Sequence, residues 1–425
     1  MAAVIEAARP TDRWLLAHGA PARQLERLLR NVHRAGFTII PVVADAACDY
    51  AFELEHREAP RGSLRLSLGS HHYAGPCAFS VTELRLERID ASRKLAERVI
   101  LLLDDSAHWQ RARLNPAERA QLAAGERAHE APVVAHLSTD SRWQDLGSAW
   151  LRALSIDLRY CLNASAEPGA AEGVHQLRVT TRRLRELLRL FADVLPPEQT
   201  QELRLQLRRL AAALGVVRDL DIRLARLPAR DDADFMPHAT DRYVGALTRA
   251  RRHAHASLLD LLQQPKIAGL PAELAQLIAL GRALDAPATV DARINATLPA
   301  ILDAVRYAAE RALKTGRARH LHRLRIKIKR LRYILETIVP IAGEEATSMA
   351  AVSTELQGLL GEHQDAVTAA NGLAAWLEHA PAKAAERRAI KQLLDREAHT
   401  AASAQRTFEH AWPTFAERSR ASIMC

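Results

Sequence analysis

The residues of this chain best suited to chemistry are arginines at helical spacing. In the stretch 174–191, Val-His-Gln-Leu-Arg-Val-Thr-Thr-Arg-Arg-Leu-Arg-Glu-Leu-Leu-Arg-Leu-Phe, His175, Arg178, Arg182, Arg185 and Arg189 recur at steps of three and four. That spacing puts them on one face of an α-helix. Leu177, Leu184, Leu188 and Phe191 repeat with the same period on a neighbouring face. One helix thus shows an apolar stripe to a core and a guanidinium stripe to something anionic. Guanidinium groups do not titrate away and match phosphate or carboxylate oxygens two at a time. His175, one turn before Arg178, can add a donor to a phosphate oxygen, more strongly when protonated.

A second copy of this helix lies at 321–338, displaced by 147 residues. His175 meets His322, Arg178 meets Arg325, Arg182 meets Lys329, Arg183 meets Arg330 and Arg185 meets Arg332. Downstream, Leu214-Gly-Val-Val-Arg-Asp meets Leu360-Gly-Glu-His-Gln-Asp at a displacement of 146. Two motifs sharing nearly one displacement indicate a duplicated unit. A pseudo-twofold pair of such units would turn both stripes toward a shared groove or pore. Arg208, on the next helix, would widen the basic surface. Arg218 stands opposite Gln364 in the repeat, so its contribution is one-sided. Gly215 and Gly361 suit tight turns between helices, with Asp219, Asp221 and Asp365 capping a helix or orienting a stripe arginine.

An arginine-rich helix face is often no more than a solvated one. Against that reading, residues 319–332 contain seven Lys or Arg and no Asp or Glu. A solvated helix ordinarily mixes signs and gains i,i+4 pairs. The net charge of +9 is also uneven. Residues 1–140 hold 18 basic and 18 acidic side chains, so the whole excess falls in 141–425. A polyanionic partner belongs there.

Other chemistries find little support. There is no phosphate-binding Gly-rich loop ending in Gly-Lys-Ser/Thr, no Gly-x-Ser-x-Gly elbow and no His-Glu-x-x-His. No carboxylate or second His recurs at ligand spacing around the two helical His, so no metal and no cofactor is expected. The four cysteines are scattered. No apolar run approaches the roughly 20 residues of a membrane span, and the first residues lack a signal-peptide core. A cytoplasmic protein is expected. His71-His72 and His253 with His255 read as surface residues.

The elements that must position the stripes follow from periodicity and punctuation. Residues 12–36 read as an amphipathic helix. Strands are expected at 37–43, 50–55, 63–68 and 79–88, and a helix at 91–103, giving a small α+β domain. Residues 104–140 form a connector with a short helix starting at Asn115-Pro116 and a joint at Ala131-Pro132. From Trp143 the helical period dominates. Breaks are expected at Glu167-Pro-Gly, Pro196-Pro197, Gly215, Pro228, Pro265, Gly269, Pro287, Gly316 and Pro340. The fold class is mainly α: an α+β domain over 1–140 with its linker, then 141–425 as two helical repeats of about 143–285 and 290–425, each a bundle of about four helices.

The motif Val174-His175-Gln176-Leu177-Arg178-Val179-x-x-Arg182-Arg183-Leu184-Arg185 resembles the signature of CHAD domains, the conserved-histidine α-helical domains. His322 to Glu336 is similar to that family's second repeat, and Leu214-Gly215…Arg218-Asp219 and Leu356…Leu360-Gly361…Asp365 to its remaining motifs. The resemblance covers about 143–380. It implies a duplicated four-helix bundle that binds inorganic polyphosphate through a basic central surface, without catalysis, and association with polyphosphate granules. The N-terminal region resembles, more weakly, a CYTH domain of the triphosphate-tunnel class, in Thr82 to Asp90 and in Leu114 to Gly125. The Glu-x-Glu-x-Lys start of that class is absent: Val4-Ile-Glu6-Ala-Ala-Arg9-Pro stands there. This implies a degenerate, non-catalytic domain. The binding set is therefore His175, Arg178, Arg182, Arg183, Arg185, Arg189, Arg208, Arg218, His322, Arg325, Lys329, Arg330 and Arg332. Nucleic-acid binding is the weaker alternative, because the basic helices carry almost no aromatics for stacking, Tyr333 being the exception, and no helix-turn-helix stands out. A metal-dependent triphosphatase in the N-terminal domain is another. Oligomeric state is left open by the sequence. Raising salt from about 50 to about 200 mM should weaken polyanion binding by orders of magnitude. Titrations at the two concentrations check this, and salt-independent affinity would remove the electrostatic basis.

Overall fold

The computed structural model describes residues 11–16, 21–42, 49–57, 59–74, 79–104, 109–112, 114, 116–124, 134, 136–166, 171–227, 237–282, 287–380 and 383–421. The chain divides into two compact units. One comprises Met1–Ala128 with Tyr160–Gln176, the other His129–Arg159 with Leu177–Cys425. The joint expected at Ala131-Pro132 and the breaks at Glu167-Pro-Gly and Pro228 lie outside the described residues, as does Gly125.

The first unit is built on β1 (Thr11–Leu16), α1 (Pro21–Arg34), β2 (Phe37–Val42), β3 (Tyr50–His56), β4 (Ala59–Tyr73), β5 (Phe79–Arg88), α2 (Arg93–Asp104), β6 (Trp109–Arg111) and α3 (Pro116–Ala123). The strands form one sheet in the order β2-β3-β4-β5-β1-β6, every pairing antiparallel. Alternation sends Leu64, Leu66 and Leu68 of β4, Leu84 and Leu86 of β5, Leu54 and Trp14 into one core. There they meet Leu25, Leu28 and Val32 of α1 and Leu95, Val99 and Leu103 of α2. Trp14 also donates its indole N–H to Asp104 Oδ1 at 2.8 Å.

Two strands depart from expectation. Residues 12–16 are not the start of a helix but lie in β1, between β5 and β6. A short apolar run such as Trp14-Leu15-Leu16 fits either state, and pairing with β5 decides it. The three residues of β6 are too few to carry a periodic signal.

The other face of the sheet is charged. Glu83, 1% exposed, accepts from Arg13 Nη1 at 2.9 Å, Arg85 Nε at 2.7 Å and the fully buried Arg119 Nη1 of α3 at 2.5 Å. Burial alone would raise the Glu83 pKa, but the hydrogen bonds from Arg85 and Arg119 and the charge of Arg13 hold it below the usual carboxylate range. His71 is no simple surface residue: it is half-buried, and its Nε2 accepts from Arg85 at 2.9 Å. Burial, and then Arg85, lower its pKa.

The helices that follow are α4 (Trp143–Ala164), α5 (Ala171–Leu190), α6 (Pro197–Ala225), α7 (Asp241–Gln263), α8 (Pro265–Ala268), α9 (Leu270–Gly281), α10 (Val290–Thr315), α11 (Ala318–His379) and α12 (Ala384–Ala421). The 62 residues of α11 are two arms, 318–342 and 344–379, meeting at Gly343, whose φ of 80° and ψ of −163° are not helical. That backbone conformation favours glycine. Pro340, unable to donate a backbone hydrogen bond, prepares the break. The displacement of 147 residues now relates whole elements: α4 to α10, α5 to the first arm of α11, α6 to its second arm and α7 to α12. Along the chain, the described helices follow one another in the same order in both copies. None of them is long and apolar enough to cross a membrane.

Gly215 and Gly361 do not make turns. Each sits inside a continuous helix, α6 and the second arm of α11. A single glycine costs a helix only about 1 kcal/mol, less than the long flanking runs of Leu, Ala and Arg supply. Gly316, by contrast, ends α10 in the left-handed conformation at φ 58°.

Replacing Glu83 by Gln should cost about 3 kcal/mol or more near neutral pH, since it removes a buried carboxylate charge shared by three guanidinium groups. A carboxyl whose folded pKa is depressed stabilises above its unfolded value and loses that contribution as pH falls through the folded value. Urea unfolding of variant and wild type should therefore differ at pH 7 and converge below about pH 4. A constant difference across that range would contradict the charged-cluster account.

Candidate polyanion-binding site

The site is set by two amphipathic helix segments. On α5, Leu177, Leu184, Leu187 and Leu188 are buried, which fixes the helix rotation. Arg178, Arg182, Arg185 and Arg189 are then left half-buried on another face. On the first arm of α11, Leu321, Leu324, Ile328 and Leu331 are buried in the same way. Arg325 is half-buried and Lys329 is 8% exposed.

The two stripes meet. Burial lowers the pKa of Arg178, helped by the charges of Arg182, Arg218 and Arg325 and opposed by Asp219. Burial likewise lowers that of Arg325, opposed by Asp365 and Asp219 and helped by Arg182. Lys329 feels the crowding most. Burial, then Arg182, Arg325 and Arg178, bring its pKa down from 10.5 to about 6, with Asp365 opposing. Asp365 itself is pushed up by burial and pulled back by Arg325 and Arg218.

These residues pair across the repeat: Arg178 with Arg325, Arg182 with Lys329, Asp219 with Asp365. Each repeat supplies two cations and one carboxylate to the same place. Neither carboxylate caps a helix, since both lie well inside one. They act on the arginines instead. Gly361 lies beside the same group: a Cβ there would make an ordinary van der Waals contact with the Arg325 guanidinium at 3.7 Å.

The remaining expected residues are placed differently. Arg185 stands among Arg182, Arg189 and Arg208, with Glu186 opposing; burial is the main cause of its lowered pKa. Arg189 is paired with Glu186 at 2.5 Å. Arg208 is exposed on α6, and Arg330 is half-buried on α11. Arg183 lies 4.5 Å over the Trp150 ring and 3.4 Å from Glu336. Arg332 donates to Glu336 at 2.6 Å and to Gln357 at 2.9 Å, and stacks 4.7 Å over Tyr333. Arg183 and Arg332 therefore belong to the packing of the helices, not to the central group. His322 is exposed and donates its Nδ1–H to Gln364 Oε1 at 2.8 Å. His175 is half-buried on α5.

Sequence reasoning missed Glu336, because its two arginine partners are one turn away and a full repeat away. It also missed Arg226, which ends α6 and pairs with Glu397 of α12 at 2.6 Å and Glu362 of α11 at 2.9 Å. Among the described residues, no three His, Cys, Asp or Glu side chains stand together as metal ligands would.

Paired basic helices in a duplicated helical domain define the class, and the comparisons agree. The chain belongs to the CHAD domain family, whose model matches residues 157–374. It is similar to a crystal structure of the CHAD domain from the plant Ricinus communis, with a TM-score of 0.54 and 25% identity over 65% of this chain and 94% of that one. PptA from Streptomyces chartreusis shares the fold, with a TM-score of 0.52 at 21% identity, over 64% of this chain and all of that one. Two uncharacterized proteins of Mycobacterium tuberculosis, Rv2226 and MT2285, are each 30% identical over 234 residues. That match takes in 51% of this chain and only 43% of each relative's length.

A lysine whose folded pKa is lowered binds its proton in the unfolded chain but not in the folded one between the two values. Stability should then rise with pH from about 6 toward about 10, at up to about 1.4 kcal/mol per unit. Replacing Lys329 by Met should remove that slope and stabilise the free protein at pH 7. Denaturation at several pH values measures this, and equal slopes would mean that the amine stays charged.

Proposed function

We propose that the protein binds inorganic polyphosphate, without catalysis, through Arg178, Arg182, Arg218, Arg325 and Lys329, with Arg185 and Arg208 beside them. One observation carries the reading: four guanidinium groups, those of Arg178, Arg182, Arg218 and Arg325, crowd around the buried Lys329 amine, with Asp219 and Asp365 opposing them among the described residues. Such crowding of like charge is costly in the free protein, and a multivalent anion relieves it. A linear chain of phosphates offers closely spaced, directionally undemanding charge, which suits fixed guanidinium groups. Nucleic acid would ask for aromatic faces on which bases can stack. Tyr333, the aromatic on the second basic helix, is buried beneath Arg332. In the cell, association with polyphosphate granules in the cytoplasm follows from this reading.

Reversing charge at Arg182 and Lys329 together should abolish binding of long-chain polyphosphate while the helical circular dichroism is kept. Undiminished affinity would show the stripes to be ordinary surface. Competition between polyphosphate and duplex DNA for the wild-type protein tests the partner, and preference for DNA would overturn it.

The first unit we read as a CYTH-like domain without catalysis. Its support is an antiparallel sheet with an arginine-rich face, on which Glu83 is already engaged by three guanidinium groups. Phosphate release from tripolyphosphate with Mg²⁺ or Mn²⁺ is the assay, and turnover would overturn the reading.

A further inference from the structure

The two repeats are not equal once the central group is passed. In the first repeat, the positions beyond Arg182 are Arg185, Glu186 and Arg189 on α5, with Arg208 on α6. At the corresponding positions the second repeat has Arg332, Tyr333, Glu336 and Thr354. Three arginines against one carboxylate in one arm thus become one arginine against one carboxylate in the other. The contacts sharpen the difference. Arg332 is held by Glu336, Gln357 and the Tyr333 ring, and Glu336 also takes Arg183. Thr354 turns its hydroxyl back to the Ala350 carbonyl at 2.8 Å. In the first repeat, the charges of Arg189, Arg208 and Arg182 all act on Arg185, with Glu186 opposing, so like charge extends from the cluster to Arg208. Only Arg189 of these is drawn into a local pair, with Glu186.

We infer that the binding track is open at one end: a linear polyphosphate longer than the central cluster continues along Arg185 and Arg208 of the first repeat and does not continue along Arg332 of the second. The inference rests on the reading of the site as a polyphosphate binder. Glu336 is the residue that closes the second arm, occupying with its own carboxylate the cations a phosphate would need. Chain-length preference therefore resides in the first repeat, while affinity for a short chain resides in the shared cluster.

The experiment titrates full-length protein with tripolyphosphate and with long-chain polyphosphate at one salt concentration. Arg185→Ala with Arg208→Ala should lower affinity for the long chain by about tenfold or more, and leave that for tripolyphosphate within about twofold, each lost phosphate contact acting separately. Arg208→Glu alone should act in the same direction; the side chain is exposed, so the substitution does not disturb packing. Arg332→Ala should bind both chains as the wild type does. Equal losses in the two arms, or a loss for both chain lengths in the Arg185/Arg208 variant, would overturn the one-ended track while leaving polyphosphate binding intact. Failure of the wild type to bind either chain would instead overturn the polyphosphate reading, and this inference with it.

Discussion

Everything in the helical region is arranged around a concentration of like charge that the fold must hold together. Lys329 is nearly buried with three guanidinium groups around it. Left to themselves those groups would separate and hydrate. They are kept close because each sits on a helix whose opposite side is nailed into apolar packing. Leu184 and Leu188 on α5 and Leu324, Ile328 and Leu331 on α11 are all fully buried. Burial of such side chains contributes about 1.5–3 kcal/mol apiece, enough in sum to hold a repulsive cluster whose charge is partly shed when Lys329 releases its proton. Asp219 and Asp365 trim the repulsion without cancelling it.

The same logic with opposite sign governs the N-terminal sheet. There a single carboxylate, Glu83, gathers three guanidinium groups, two from the strands (Arg13 and Arg85) and one, Arg119, from α3. The core on the other side is supplied by leucines at every second position. In one unit a carboxylate draws guanidinium groups together, and in the other guanidinium groups crowd a lysine.

Much of this was legible in the residues. The spacing of Arg178, Arg182, Arg325 and Lys329 gave the faces, and the near-constant displacement of the repeat gave their pairing. What could not be read was set by tertiary partners. Glu336 looks in sequence like an ordinary i+4 companion of Arg332, and only folding brings Arg183 to it. Gly215 and Gly361 look like punctuation, yet long helix-forming flanks carry the helix through both. Trp14-Leu15-Leu16 has no period long enough to distinguish strand from helix. The pairing partner that settles it, β5, lies some seventy residues away along the chain.

The join between the basic helix and its successor differs in the two repeats. In the first, α5 leads through a short 3-10 turn, Ala192–Val194, and Pro196 before α6 begins. In the second, one residue, Gly343, separates the two arms. The displacement between the repeats falls from 147 at the basic helix to 146 at the Leu214 and Leu360 motifs that follow the join. The two copies thus differ by one residue in that span and in how the join is made, a loop in one and a single glycine in the other. The first join retains slack in which length can drift, whereas in the second every inserted residue would rotate the following helix by about 100° and carry Asp365 away from Arg325.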